Sequence, residues 1–246
     1  MVYKNKKSRK AIPGYTLIPK EGYYQVRKIG LTKDRVNNDP AFSMTRKLSD
    51  EFAVAAKLGT LIRDAVLEDA TIAQHPAVLT AALINIIQTD KQNPVGCRSL
   101  LNADFSSLEN FQFNPSLSWQ EATKLHEHVK VDRKKRQWSL TIPAFVPRNA
   151  IKGPRSATYC RLRFIQVSID LTGMVAEKQI QRTTLLPWKH LQIPQQELVF
   201  KLHKTAPCLH LLVATINWYE SVGHAKVLMP LDTQVPFTIL KVGVSK

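Results

Sequence analysis

Glycine is scarce in this chain, with nine residues in 246, and none of the nine falls into G-x-G-x-x-G or G-x-x-x-x-G-K-[ST]. The loops that usually cradle nucleotide phosphates are therefore missing. No G-x-S-x-G elbow and no H-E-x-x-H helix occur either, so dehydrogenase, nucleotide-hydrolase, α/β-hydrolase and zincin chemistry would each need unfamiliar machinery. Cysteine is limited to Cys97, Cys160 and Cys208, an odd number without Cys-x-x-Cys spacing. That argues against a structural zinc site or a redox pair and for a reduced, cytoplasmic setting, with the thiols acting as small core hydrophobes. Long apolar runs are absent. The most apolar stretch, Ala77 to Ile87, is little more than half of the roughly 18 residues a membrane-spanning helix needs, so transmembrane insertion is not expected. Lys4 to Lys10 has the charge of a signal-peptide start, but Ala11-Ile12-Pro13-Gly14 stands where its apolar region would begin, which leaves export by that route unsupported.

Acidic residues are the other shortage, 19 Asp and Glu against 35 Lys and Arg, for a net charge of +16. The excess is localised. Residues 1–36 carry +8, 37–123 carry −4, 124–163 carry +9 and 164–246 carry +3. Hydrophobic residues at 44% are nonetheless an ordinary globular fraction, so a packed core is expected.

The pattern of apolar residues divides the chain into three parts. In 1–36, a basic arm precedes weak alternation at Tyr15 to Leu17 and Tyr23 to Ile29, with Gly14 and Glu21-Gly22 as turn signals, which predicts two short strands. In 37–110, Asn38-Asp39-Pro40 is a helix start: Asp39 can accept from free first-turn amides, and Pro40 sits where a missing N–H does no harm. Phe42, Leu48, Phe52, Ala55, Ala56, Gly59, Ile62 and Val66 follow at three- and four-residue spacing, predicting one apolar stripe on a helix to about Glu68. Pro76 opens a second helix to about Thr89, apolar nearly all round, and the pair makes a helical hairpin.

From 111 to 246 the period is two. A hairpin is predicted across Lys130 to Ile142 with Asp132-Arg133-Lys134-Lys135-Arg136 at its tip, followed by strands at 157–170, 175–185, 197–204, 208–219, 224–229 and 235–244. Gly173, Pro187, Pro194, Pro207, Gly223 and Pro230 punctuate them. About seven short strands without βα alternation predict an antiparallel β-sandwich, immunoglobulin-like or similar. The expected class is α+β: basic strands and a helical hairpin, then the sandwich.

The run Arg35-Val36-Asn37-Asn38-Asp39-Pro40-Ala41-Phe42-Ser43-Met44-Thr45-Arg46, continued by Glu51-Phe52, resembles the opening of an uncharacterised group of proteins encoded by Bacteroidota genomes. Phe111-Gln112-Phe113 and Ile142-Pro143-Ala144-Phe145-Val146-Pro147 are compatible with the same order of elements. The resemblance implies a basic start, two helices and a β-rich carboxyl half. No activity, catalytic residue or cofactor comes with it.

Three constellations bear on chemistry. His126 and His128, two apart, would share one face of a strand and could reach one metal ion, but no third ligand has supporting spacing; polar residues on the wet face of an edge strand are the plainer reading. Trp188 with Trp218-Tyr219 would offer a sugar-stacking platform, except that alternation puts Trp218 and Tyr219 on opposite faces. The basic residues are the better candidates: Lys4, Lys6, Lys7, Arg9 and Lys10 in the arm, Arg133, Lys134, Lys135 and Arg136 at the tip, and Arg161 and Arg163 sharing a face with Tyr159. Cations beside a stacking ring suit phosphates and bases without sequence preference. Solvated charge, or docking on acidic helices or on a sister subunit, are the alternatives. The sequence thus points to a non-enzymatic binding or assembly protein that takes a protein partner or self-associates. The second reading is a sequence-nonspecific nucleic-acid-binding protein. No catalytic residue and no cofactor is expected.

Overall fold

The computed structural model describes residues 14–28, 30–67, 75–125, 128–132, 134–202, 207–230 and 235–245. In chain order the elements are β1 (Tyr15–Lys20), β2 (Tyr23–Lys28), α1 (Lys33–Asn38), α2 (Ser43–Val66), α3 (Pro76–Ile87), α4 (Trp119–Ala122), β3 (His128–Asp132), β4 (Gln137–Ile142), α5 (Pro147–Ala150), β5 (Tyr159–Asp170), β6 (Val175–Arg182), β7 (Leu186–Pro187), β8 (Gln196–Lys201), β9 (Cys208–Val222), β10 (Ala225–Leu228) and β11 (Phe237–Ser245). The protein mixes helices with antiparallel sheets, as an α+β class requires. No helix among the described residues is long and apolar enough to cross a membrane.

The helical part begins as its capping residues dictate. Asp39 Oδ1 accepts from Ala41 N at 2.9 Å, and a 3-10 turn from Pro40 runs directly into α2. Arg46 reaches back, its Nη1 donating to Val36 O at 2.6 Å and Asp39 O at 3.1 Å, which ties α1 to α2. Along α2 the buried stripe is Ala55, Leu58, Gly59, Ile62, Ala65 and Val66, facing α3. The apolar stripe expected from Phe42 onward is buried only in this second half. Leu48 is 45% and Phe52 53% exposed, because α3 has 12 residues and α2 has 24, so α3 spans about half of α2's length.

The first half of α2 is anchored by charge instead. Glu51 is buried; its Oε1 accepts from Gly96 N at 2.7 Å and its Oε2 lies 3.5 Å from Arg98 Nη1. Gly96 has a φ of +88°, and a Cβ there would meet Lys47 Cβ at 2.6 Å, so only glycine fits. The same loop is organised by Asp90, which accepts from Asn93 Nδ2 at 2.8 Å, Gln92 N at 2.9 Å, Asn93 N at 3.3 Å and Ser99 N at 2.9 Å.

The β half is built on β5 and β9, which pair antiparallel from Tyr159↔Tyr219 to Asp170↔Cys208. β6 and the short β7 flank β5, while β10 and β11 share the far side of β9, making six strands. The residues 110–113 then run beside β11, with Asn110 N donating to Ile239 O at 2.8 Å and Phe113 N to Phe237 O at 2.7 Å, which covers that sheet edge. A second sheet of β3, β4 and β8 lies apart, and β1 with β2 forms a separate hairpin. β5 and β9, of 12 and 15 residues, fall where strands are expected at 157–170 and 208–219. Most of their length is buried on both faces, so no polar alternation interrupts them.

Opposed residues on paired strands share a face, and the β5–β9 pair sends its two faces to different cores. Ile165, Val167, Ile169, Leu209, Leu211 and Val213 join α2 and α3. Cys160, Leu162, Phe164, Leu212, Ala214, Ile216 and Trp218 join Trp138, Leu140, Ile142 and Phe200 of the three-stranded sheet. Gln179 and Gln181 of β6 bridge the two sheets by donating through Nε2 to Lys201 O and Val199 O of β8.

Asp90 gives the first test. Its side-chain and backbone donors hold the carboxyl well below the usual carboxylate range. A depressed native value adds stability that is complete above the unfolded value of about 4 and fades as pH falls below it. Asp90→Ala should therefore lower the thermal midpoint at pH 7, with the gap to the native protein narrowing towards pH 2, as measured by circular dichroism melts.

Candidate nucleic-acid interface

Beyond the helix-covered part of the β5–β9 face, the exposed end carries cations and tyrosines. Tyr159, Arg161 and Arg163 alternate along β5 on that face, as the period of two requires. Their partners on β9 are Tyr219, Asn217 and Thr215, and Arg182 of β6 stands opposite Arg163. β10 adds Lys226, paired with Ser221 two residues beyond Tyr219. The guanidinium carbon of Arg161 lies 5.6 Å from the Tyr219 ring centroid, and Lys226 Nζ lies 4.5 Å from that of Tyr159. Two rings side by side are thus each matched with a cation.

Depth sorts these groups. Arg163 is 1% exposed and engaged within the protein, at the border with core residues Ile165 and Val213. Arg161, Tyr159 and Tyr219 are half-buried, whereas Arg182 and Lys226 reach solvent. The outer rim of this face is therefore Arg161, Arg182, Lys226 and the tyrosines, with Arg163 beneath it. Tyr219 entered the sequence reading only beside Trp218, as part of a sugar platform, and Lys226 and Arg182 were not singled out. A signal existed for the first, since Thr215, Asn217 and Tyr219 alternate with Ala214, Ile216 and Trp218, but the β9–β10 register that brings in Lys226 has no local marker.

The other sequence candidates lie elsewhere. Lys134, Lys135 and Arg136 form the exposed turn between β3 and β4, where Lys135 N donates to Asp132 Oδ1 at 3.0 Å. Trp138, just after that turn, meets His210, and His210 bonds to Ser168 on the opposite face of β5 from Arg161. Seven residues along β5 separate Ser168 from Arg161, about 23 Å, so the tip and the cationic face are distinct surfaces. Lys4, Lys6, Lys7, Arg9, Lys10 and Arg133 lie outside the described residues, as does His126. His128 is exposed on edge strand β3, and among the described residues no three His, Cys, Asp or Glu are grouped to hold a metal.

Two further arrangements bear on chemistry. Ser168 Oγ lies 2.8 Å from His210 Nδ1, a distance suited to a nucleophile and base. Gln166 Nε2 also contacts Ser168 Oγ at 2.7 Å, His210 Nε2 is shared with Ser245 Oγ at 3.1 Å, and Gln166, Ser168 and His210 are buried. The group works as a satisfied polar strip against Trp138. Trp188 and Trp218 meet edge to face at 5.1 Å and both are buried, so they form core rather than a sugar platform, and Tyr219 points to the other side. No family model, curated protein or solved structure matches this chain.

The thiols separate by environment. Cys160 and Cys208 are core hydrophobes as expected, and burial pushes the Cys160 thiol up to about 12; Cys97, on the polar loop after α3, is exposed instead. Titration with a chromogenic disulfide reagent at pH 8 should show one fast thiol, lost in Cys97→Ser, and two that react only after denaturation.

Proposed function

We propose that this is a non-enzymatic binding protein whose recognition surface is the tyrosine–cation end of the β5–β9 sheet and whose ligand is a nucleic-acid strand read without sequence preference. The observation carrying this is the adjacency of Tyr159 and Tyr219 with Arg161, Arg182 and Lys226 on one sheet face. Cations neutralise phosphates while rings stack on bases, and a sheet holds both at fixed spacing. In this reading the six- and three-stranded sheets are the layers of a β-sandwich that keeps the face rigid. The Asp39–Arg46 helix entry and the order of elements support a place in the Bacteroidota group that the sequence resembles.

Fluorescence anisotropy with labelled single-stranded DNA and RNA across a salt series tests it. Contact with about three phosphates gives a log–log slope of about −2. Lys226→Glu with Arg182→Glu should weaken binding about tenfold or more and flatten the slope, and Tyr219→Ala should cost about 1–3 kcal/mol. Reversal of Lys134, Lys135 and Arg136 to Glu should cost less than the face variants. An absence of salt-sensitive binding at low ionic strength refutes the reading.

A second reading, self-association, is favoured by the amino-terminal elements. β1 and β2 pair only with each other among the described strands, leaving Tyr23 65% and Tyr24 63% exposed, and α2 presents Met44, Leu48 and Phe52 at four-residue spacing on its uncovered half. A two-stranded hairpin gains little stability alone, which supports a sister copy as its cover. Light scattering should then show mass rising with concentration and reverting to monomer in Leu48→Glu/Phe52→Glu; monomer at all concentrations removes this reading.

A further inference from the structure

The β1–β2 hairpin has two unlike faces. In its register Tyr15↔Lys28, Leu17↔Val26 and Pro19↔Tyr24 share one side, while Thr16↔Arg27, Ile18↔Gln25 and Lys20↔Tyr23 share the other. The first side is apolar except for Lys28 at its open end; the second carries two cations, Gln25 and Thr16. Such sidedness belongs to a sheet packed on one face and wet on the other. Yet residues 19–28 are all exposed, Tyr24 to 63% and Val26 to 53%, and among the described strands β1 and β2 pair only with each other. The apolar side is shaped for a cover that its own chain does not supply.

A second apolar surface stands uncovered close by in the chain. Met44, Leu48 and Phe52 step by four residues along α2 and lead into its buried stripe at Ala55, Gly59 and Ile62, but the shorter α3 does not cover them. The helix that presents them is fixed, because Glu51 ties it to Gly96 and Arg98. Six-residue strands are about 20 Å long and the rise from Met44 to Phe52 is about 12 Å, so one hairpin face can span the row.

Area decides between one such contact and two. With about 200 Å² for a whole aromatic side chain and less for an aliphatic one, the exposed parts of Tyr15, Tyr24 and Val26 with Met44, Leu48 and Phe52 come to about 600 Å². One hairpin on one helix of another copy therefore falls short of a specific interface. A two-fold pair, in which each copy's hairpin lies on the other's α2, doubles the area to about 1,200 Å² and reaches the stable range. Hairpin and helix row are joined by residues 29–42 alone, so one axis serves both contacts, and the pair closes without offering a free surface to a third copy.

We propose that two copies of this chain exchange their β1–β2 hairpins, the face of Tyr15, Leu17, Pro19, Tyr24 and Val26 in each copy covering Met44, Leu48 and Phe52 of the other. The exchange rests on the self-association reading and gives it a geometry. Tyr23 and Tyr24, neighbours with almost equal exposure, then have opposite fates: Tyr24 is covered and Tyr23 stays in solvent with Lys20 and Arg27.

Sedimentation of the full chain across a concentration series should show a monomer–dimer equilibrium. Tyr24→Glu/Val26→Glu should raise its Kd about tenfold or more at unchanged circular dichroism, and Tyr23→Glu should leave it unchanged. For the contact itself, Cys97→Ser removes the exposed thiol, and Val26→Cys or Leu48→Cys is added to that chain. A short bis-maleimide should then link Val26→Cys chains to Leu48→Cys chains in preference to like with like, and a chain carrying both changes should give a covalent dimer. A dimer that persists in Tyr24→Glu/Val26→Glu, equal weakening by Tyr23→Glu, or an internally linked monomer from the double-cysteine chain overturns the exchange and leaves self-association standing. Monomer at every concentration overturns both.

Discussion

The antiparallel pairing of β5 with β9 is the constraint on which the remainder of this protein hangs. Twelve consecutive residue pairs, Tyr159↔Tyr219 to Asp170↔Cys208, put one set of side chains under α2 and α3 and the alternate set under β4 and β8. Because side chains alternate strictly, a slip of one residue would exchange Ile165, Val167 and Ile169 for Phe164, Gln166 and Ser168 against the helices. That would bury a hydrogen-bonded polar strip in an apolar core. Register is therefore fixed by two cores at once, and everything attached to either face inherits its position.

The same pairing governs where charge can sit. Arg163 lies where the helix-covered area ends, and its burial marks the border between core and cationic rim. Beyond it the helices no longer cover the face, so alternation that yields Ile and Val inward yields Arg161, Tyr159, Asn217 and Tyr219 further out. On the opposite face at the same end, Trp218 and Trp188 close the second core, and a Cβ at Gly153 would stand only 2.1 Å from Trp218 Cη2. A strongly basic chain thus holds its cations in separate settings, each with its own geometry.

Polar anchoring does in the loops what apolar packing does in the sheets. Asp90 gathers four donors, and Glu51 joins Gly96 and Arg98 to a helix whose outer half has no apolar cover. Each hydrogen bond to these carboxylates fixes direction as well as distance, since its donor must meet a particular lone pair. The exposed Leu48 and Phe52 remain beside these anchors, which shows that α2 is held in place without burying them.

Much of the local structure was legible in the amino-acid order. The Asp39-Pro40 helix entry, the 76–87 helix, the hairpin across 130–142 and the strands at 175, 208 and 237 follow from capping chemistry and from periods of 3.6 and two, which act over a few residues. So does the sharing of one face by Tyr159, Arg161 and Arg163. What tertiary structure alone decided is which strand meets which. Pairing Tyr159 with Tyr219 joins residues 60 apart, Lys226 reaches Tyr159 across β9, and Trp188 comes to lie beside a cleft lined by residues 121–124 and 148–153. Nothing in a local window encodes such contacts, because they are set by the mutual fit of two cores. Even the stripe on α2 needed α3's length to say where it would be covered. Composition and period therefore determined the elements and the sign of the charge, while the packing of both faces of one strand pair determined which charges face a ligand and which are buried.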